Sequence, residues 1–161
     1  MSFQNIAVIV ASLVAGSLSG GLAGNAETTA LAFTGRGVQV YRCQGTGSAY
    51  AWVLEGPDAQ LFNAAGQVEG RHFFGPHWEA NDGSRIAGQV LVGSASPDGR
   101  ANVPWLVLRA QTEQADGIFG HVRIITRTDT HGGAAPTTPC GPQQNGQVMN
   151  ETYSATYTFF P

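Results

Sequence analysis

The chain has 161 residues, of which 22 are glycine and only 12% are charged, and its formal net charge at pH 7 is −3. The lack of a basic surplus excludes the electrostatic attraction on which nucleic-acid binding depends. The 42% hydrophobic content, combined with so small a net charge, excludes a disordered chain. The length fits one domain.

The first 26 residues carry no charged side chain. The apolar run at 6–18 has the length of a signal-peptide core, and residues 24–26 resemble a small-x-small cleavage site. We therefore expect a signal peptide over 1–26. An uncleaved anchor is the alternative, because residues 6–23 are just long enough to cross a bilayer of about 30 Å as a helix. Both interpretations place residues 27–161 in the periplasm or outside the cell, with membrane contact only if 1–26 is retained.

Residues 27–161 consist of short alternating runs bounded by Gly, Pro, Asn or Asp, a pattern typical of β-strands. In the last run, one face carries Met149, Glu151, Tyr153, Ala155, Tyr157 and Phe159, and we expect its aromatic row to point inward. A hairpin is expected around residues 64–66. The predicted strands, in chain order, are 37–43, 50–54, 60–63, 67–74, 85–92, 104–110, 118–127 and 149–160.

About eight strands at intervals of roughly 8–12 residues predict an all-β fold. We expect one domain over 27–161, either a β-sandwich or a closed barrel of mostly antiparallel strands. The glycine surplus would then serve tight turns and bulges. Residues 130–146 form the one long loop.

The chain contains two cysteines, Cys43 in the first predicted strand and Cys140 in the long loop. An even pair in an exported chain most simply forms one disulfide. The absence of a Cys-x-x-Cys motif disfavours a redox pair or a thiolate metal site.

Several segments of the chain form a recognisable set: GVQVYRC at 37–43, the block at 70–84 with its W-E-A-x-D-G-S motif, PWLVL at 104–108, the run at 122–133, Ala135-Pro136 with Cys140, and the closing strand at 153–160. Together they resemble the family known as domain of unknown function 3455, over roughly residues 36–160. The resemblance implies a secreted protein whose activity is not established. Some members carry a dehydrogenase label, but this sequence has no G-x-G-x-x-G between a strand and a helix, so no cofactor is predicted.

Residues 72–84 are the densest cluster of polar and aromatic side chains. The structural interpretation is a strand, a Gly-Pro corner, a second short strand and an Asp-Gly turn, with Asp82 capping the turn and Trp78 in the core. The functional interpretation is a ligand surface with stacking planes for sugar rings and side chains that form hydrogen bonds. Its candidate residues are His72, Trp78, Glu79, Asp82, Trp105 and Arg127, with Trp52, Tyr41 and Tyr50 as further stacking planes.

A metal site is a weaker interpretation. No H-x-H or H-E-x-x-H spacing occurs. Two histidines five positions apart point to opposite faces of a regular strand, unless the corner at 75–76 turns one of them around. No metal is therefore predicted, although the suitable ligand types are His72, His77 and Glu79, with His121 and His131 from elsewhere.

Catalytic chemistry has little support. Glu79 and Asp82 could act as acid and base. There is no G-x-S-x-G motif, and Ser84 is interpreted as a turn hydroxyl. No catalytic residue is predicted.

Arg127 ends an apolar strand, where arginine commonly pairs with a buried acid or with loop carbonyls. Glu79 or Asp82 is the predicted partner.

The sequence therefore predicts an exported, non-enzymatic β domain that binds a ligand or a partner, for example a carbohydrate or an envelope protein. One alternative is a small secreted enzyme or metal-binding protein centred on His72, Glu79 and Asp82. The other is a membrane-anchored accessory subunit of a larger assembly, if residues 1–26 are retained.

Overall fold

The computed structural model describes residues 29–161, so the predicted signal peptide or anchor lies outside the described residues. Eight antiparallel strands follow one another around a closed barrel, and the last pairs with the first. The all-β prediction is confirmed, with the barrel as the architecture. No helix in the described part of the chain could span a bilayer. The strands are β1 (Leu31–Thr46), β2 (Ala49–Phe62), β3 (Val68–Phe73), β4 (His77–Ala80), β5 (Arg85–Ser94), β6 (Trp105–Gln114), β7 (Ile124–Gly132) and β8 (Val148–Phe160).

Strand β2 runs unbroken through Gly56 and Pro57, where the sequence analysis places two separate strands. Tyr41 pairs with Leu54 while Val40 pairs with Gly56, so Glu55 is the extra residue of a bulge. A bulge accommodates both the positive φ of 145° at Gly56 and the missing N–H of the proline beside it. The Gly-Pro pair therefore bends this strand instead of ending it.

The predicted strand at 118–127 is wrong in its first half, because β7 begins only at Ile124. Residues 119–121 form a turn that places Phe119 inside one end of the barrel. Its ring lies 4.6 Å from that of Phe159 and 6.3 Å from that of Phe33, measured between centroids. These three rings close this end of the barrel.

The inward face predicted for the last strand is confirmed, since Tyr153, Ala155, Tyr157 and Phe159 are all buried. Glycines make room for the largest inward rings. A Cβ on Gly35 would lie 2.6 Å from the ring of Tyr157, and one on Gly88 would lie 2.7 Å from that of Trp78. Part of the glycine surplus thus serves core packing within strands and not only turns.

The Cys43–Cys140 disulfide is present, with the two Cα atoms 5.6 Å apart. It fixes the long loop to the end of β1, where the Cys43 N–H also donates to Gln147 O at 2.9 Å. Trp52 Nε1 donates to Thr138 O at 2.9 Å. The loop is therefore held to the barrel at several points along its length.

Candidate functional site

A cavity of about 280 Å³ lies inside the barrel, away from the end that the phenylalanines close. Its inner wall includes the buried side chains of Trp78, Leu108 and Tyr157. Its lining also reaches the exposed side chains of Leu54 and Val90, which marks this side as the mouth. The cavity therefore connects the barrel interior with solvent.

Strand register explains which side chains enter the cavity. Directly opposed residues of antiparallel strands face the same side of a sheet. His72 pairs with Trp78, and Arg127 pairs with the inward-facing Tyr157. Two strand pairs thus bring an imidazole, an indole, a phenol and a guanidinium to one space.

His72 is a neutral, buried imidazole. Its Nδ1 lies 2.8 Å from the carbonyl oxygen of His77, so Nδ1 carries the hydrogen and donates it. Its ring stacks on Trp78 with centroids 4.2 Å apart and an interplanar angle of 6°. Burial lowers the pKa of His72 to about 3, and the positive charge of Arg127 acts in the same direction. The ring is therefore part of the packed wall at neutral pH.

We expect the free energy of unfolding to fall by about 2 kcal/mol between pH 6.5 and pH 4.5 because of His72. In this window the unfolded chain binds a proton at the ordinary histidine pKa of about 6.5, whereas the folded chain does not. Denaturant titrations at several pH values should show this slope, and His72→Phe should flatten it. His131→Asn, which removes an exposed histidine, should keep the wild-type slope. Equal slopes in His72→Phe and wild type would contradict the neutral assignment.

The hydroxyl groups of two buried tyrosines lie next to each other, close to Arg127. The Oη atoms of Tyr153 and Tyr157 lie 3.2 Å apart. Burial raises the pKa of both phenols, and the charge of Arg127 opposes that rise. Arg127 Nε donates to Pro104 O at 2.9 Å. These contacts hold the guanidinium beside the buried hydroxyls.

Two donors in the cavity wall lack an acceptor. Gln39 Nε2 and Trp78 Nε1 are buried, and neither has a hydrogen-bond partner among residues 29–161. Both residues are only 1% exposed, and both line the cavity. A buried donor without a partner costs about 1–3 kcal/mol, so native proteins keep few of them. Trp105 Nε1 and Thr130 Oγ1 are also buried without a partner in the described chain, but neither residue lines the cavity.

The charges around the cavity do not cancel. Glu55 lines the cavity, but Arg42 holds it with two nitrogens, one of them 3.3 Å from Oε2. Within the described chain, no carboxylate lies within 4.0 Å of Arg127. The cavity therefore contains one positive charge without an acidic partner.

The structure brings His72, Trp78 and Arg127 together at the cavity. Glu79 lies elsewhere, 3.0 Å from Arg71 and 3.6 Å from Arg85. The predicted pairing of Arg127 with Glu79 or Asp82 is wrong, because both carboxylates have other partners. Arg127 donates instead to the loop carbonyl oxygen of Pro104.

Trp105 is half-buried and lines a neighbouring groove, which shares Leu106 and Arg127 with the cavity, but Trp105 itself does not line the cavity. The other proposed stacking planes are also scattered. Tyr41 is buried and donates to Gly133 O at 2.8 Å, while Trp52 holds the long loop. Because Trp78 is itself buried, these rings do not form one exposed surface.

The histidines do not assemble into a metal site. His77 stacks on Phe73, and its Nε2 lies 3.2 Å from Glu113 Oε1. His72 faces the barrel interior, so the corner at 75–76 does not bring the two rings together. No group of three or more possible ligands occurs within residues 29–161.

Asp82 caps its turn, as the structural interpretation predicts. It also fixes the backbone of the segment that carries Phe119, one of the rings at the closed end of the barrel. Its Oδ1 accepts from Ser84 N at 2.9 Å and Ser84 Oγ at 2.6 Å, and its Oδ2 accepts from Ile118 N at 2.7 Å. Ser84 Oγ in turn accepts from Phe119 N at 3.1 Å. The hydrogen bond from the Ser84 hydroxyl is the main cause that lowers the pKa of Asp82.

Asp82→Ala should lower the free energy of unfolding by about 1–2 kcal/mol, because three donors lose their acceptor while part of the site stays open to water. Urea denaturation measures the change. Asp98→Ala, at an exposed turn position, should change stability by no more than about 0.5 kcal/mol. Equal effects from the two variants would refute the bracing role of Asp82.

Sequence reasoning missed Gln39 and Tyr157 as cavity residues. The signal for Gln39 was available: it falls on the same strand face as Phe33, Tyr41 and Cys43. A polar residue within an otherwise inward apolar row marks a buried polar group with a specific task. Only the closed barrel shows that this face borders the cavity.

The described residues form a small closed barrel with a mainly apolar cavity in its interior, into which a few polar groups project. The chain matches the family model described as protein of unknown function (DUF3455) over residues 23–161, and it belongs to that family. The predicted resemblance is thus confirmed. No curated protein and no solved structure shows significant similarity to the chain.

Proposed function

We propose that this chain is an exported, non-enzymatic binding protein that takes a small ligand into the barrel cavity. One observation carries the proposal: two residues that line the same cavity, Gln39 and Trp78, each have a fully buried donor without an acceptor. A ligand that supplies acceptors would remove the cost of burying them.

The dimensions favour a compact ligand. The cavity of about 280 Å³ lies just below the range of about 300–1,000 Å³ typical of drug-sized sites. The surroundings of the mouth are apolar, because Leu54, Phe74 and Val90 are each about half exposed there. A ligand with a single flat ring and an apolar surface fits this space better than a carbohydrate chain does.

Binding is favoured over catalysis by what the polar side chains already do. Glu79 is engaged by two arginines, and Asp82 and Ser84 brace the closed end. His72 donates to a backbone carbonyl and remains neutral. The three residues proposed for an enzyme or metal centre, His72, Glu79 and Asp82, lie at separate places in the fold.

Export is supported by the uncharged apolar segment 1–26 and by the disulfide, since disulfides persist in oxidising compartments. N-terminal sequencing of the protein isolated from its own cells is expected to begin near Glu27. A start at Met1 would favour the anchored alternative.

The binding role is tested by NMR titration with a panel of single-ring fragments, both neutral and charged. We expect the amide shifts of cavity-lining residues to move in a saturable way. Val90→Trp, which enlarges an exposed side chain at the mouth, should abolish these changes. Val92→Trp, an equal change at an exposed position that does not line the cavity, should leave them intact. Absence of any saturable shift at the cavity would refute the role.

A further inference from the structure

We infer that the ligand class is a small carboxylate with a flat apolar body, its carboxylate bound by Arg127 together with the unpartnered donors of Gln39 and Trp78. This inference rests on the proposed binding function and adds the chemistry of the ligand.

The unpaired positive charge at the cavity favours an anionic ligand. Arg127 is half-buried at the cavity and has no acidic partner in the described chain, whereas the other charged residue of the lining, Glu55, is neutralised by Arg42. Arg127 keeps part of its contact with water, and an anion beside it would add a charge-assisted hydrogen bond. An anion entering the cavity would supply the missing partner.

The free hydrogen-bonding atoms of the residues that line the cavity are donors, so they favour a ligand that accepts hydrogen bonds. Gln39 Nε2, Trp78 Nε1 and the guanidinium nitrogens of Arg127 can only donate. Arg127 uses Nε on Pro104 O and also interacts with the Tyr157 hydroxyl. A guanidinium has five N–H donors in a planar fork, so donors remain for a second acceptor group. The two oxygens of a carboxylate match this fork and also accept from neighbouring neutral donors.

The remaining wall defines the body of the ligand. Pro57, Leu106 and Leu108 contribute apolar side chains, and the rings of Trp78 and Tyr157, which meet edge to face, belong to the same wall. Such walls stabilise a ring through burial of apolar area and through edge-to-face contacts. A simple inorganic anion would leave this surface unused.

Calorimetric titration of the full chain with benzoate and with benzyl alcohol tests the inference. The two probes share a ring, but only benzoate is charged. We expect benzoate to bind the wild type at least ten-fold more tightly than benzyl alcohol. Arg127→Gln should weaken benzoate about ten-fold or more, the usual worth of a charge-assisted hydrogen bond, and should leave benzyl alcohol unchanged. Arg109→Gln, at an exposed β6 position, should match the wild type for both probes.

A second variant protects the test against misfolding of Arg127→Gln. Gln39→Leu removes a buried donor that has no partner, so it should raise the melting temperature and weaken benzoate binding several-fold. A merely structural glutamine would give no loss of binding.

The outcomes distinguish this inference from the function on which it rests. Equal binding of both probes, with no effect of either variant, would overturn the carboxylate class while the binding function stands. Failure of both probes to bind would overturn the inference as well, and the fragment panel with Val90→Trp would then decide the binding function by itself.

Discussion

Replacing Trp78 with alanine is expected to lower the free energy of unfolding by about 3–5 kcal/mol, the range for truncating a large buried aromatic side chain. Trp78 is the largest fully buried side chain among residues 29–161, and it touches His72, Tyr157 and Phe159. Its removal would leave a void between the cavity and the closed end of the barrel. Urea denaturation followed by circular dichroism measures the loss.

Trp105→Ala provides the matched control. Its side chain is half-buried, so we expect a loss of about 1–2 kcal/mol. Similar losses in the two variants would show that Trp78 is not the centre of the core. Because Trp78 also lines the cavity, only its substitution should abolish ligand binding as well.

Loss of the Cys43–Cys140 disulfide is expected to lower the free energy of unfolding by about 4 kcal/mol. The bond closes a loop with a sequence separation of 97 residues, for which the chain-entropy model gives roughly 4–5 kcal/mol. The double variant Cys43→Ala/Cys140→Ala should unfold at a correspondingly lower urea concentration than the oxidised wild type.

Reduced wild-type protein is the control for the volume lost in the alanine variant. It should be destabilised by a similar amount, because reduction breaks the same cross-link without removing a side chain. A wild type whose stability is insensitive to reductant would show that hydrogen bonds such as Trp52 Nε1 to Thr138 O hold the loop without the disulfide.

Much of the fold is readable from the sequence because strand alternation is a local signal. The inward row of β8 follows from alternation, the hairpin around 64–66 from its turn residues, and the disulfide from the single pair of cysteines. The sequence does not decide between a sandwich and a barrel, because that choice depends on whether β1 pairs with β8. This pairing joins segments more than one hundred residues apart.

The errors have identifiable physical causes. In the sequence Gly56 and Pro57 indicate the end of a strand, but the bulge at Glu55 accommodates both residues within β2. Residues 118–121 have strand-like composition, yet Asp82 and Ser84 bind their backbone and fold them into the closed end. Both outcomes depend on contacts that are distant in the sequence.

Only part of the candidate site could be predicted from the sequence, again because contacts between distant residues decide which side chains meet. His72, Trp78 and Arg127 stand out by residue type, and strand register brings them together. Glu79 and Asp82 are equally conspicuous in the sequence, but they serve an exposed ion-pair cluster and a turn. Proximity along the chain does not show which face of a strand a side chain occupies, and a register shift changes that face.

The proposed binding role implies a conflict between the stability of the protein and ligand binding. Natural binding sites often keep groups that destabilise the empty protein. Gln39 Nε2 and Trp78 Nε1 fit this description, because both are buried and lack acceptors among the described residues.

Crystals of the protein soaked with 4-iodobenzoate test the central claim most directly. Anomalous scattering locates the iodine without bias from the model, and the difference density shows the orientation of the ring. We expect one occupied site inside the barrel, with the carboxylate within hydrogen-bond distance of Arg127 and the iodine directed away from it. Iodine bound only on the outer surface, or a carboxylate pointing away from Arg127, would contradict that claim.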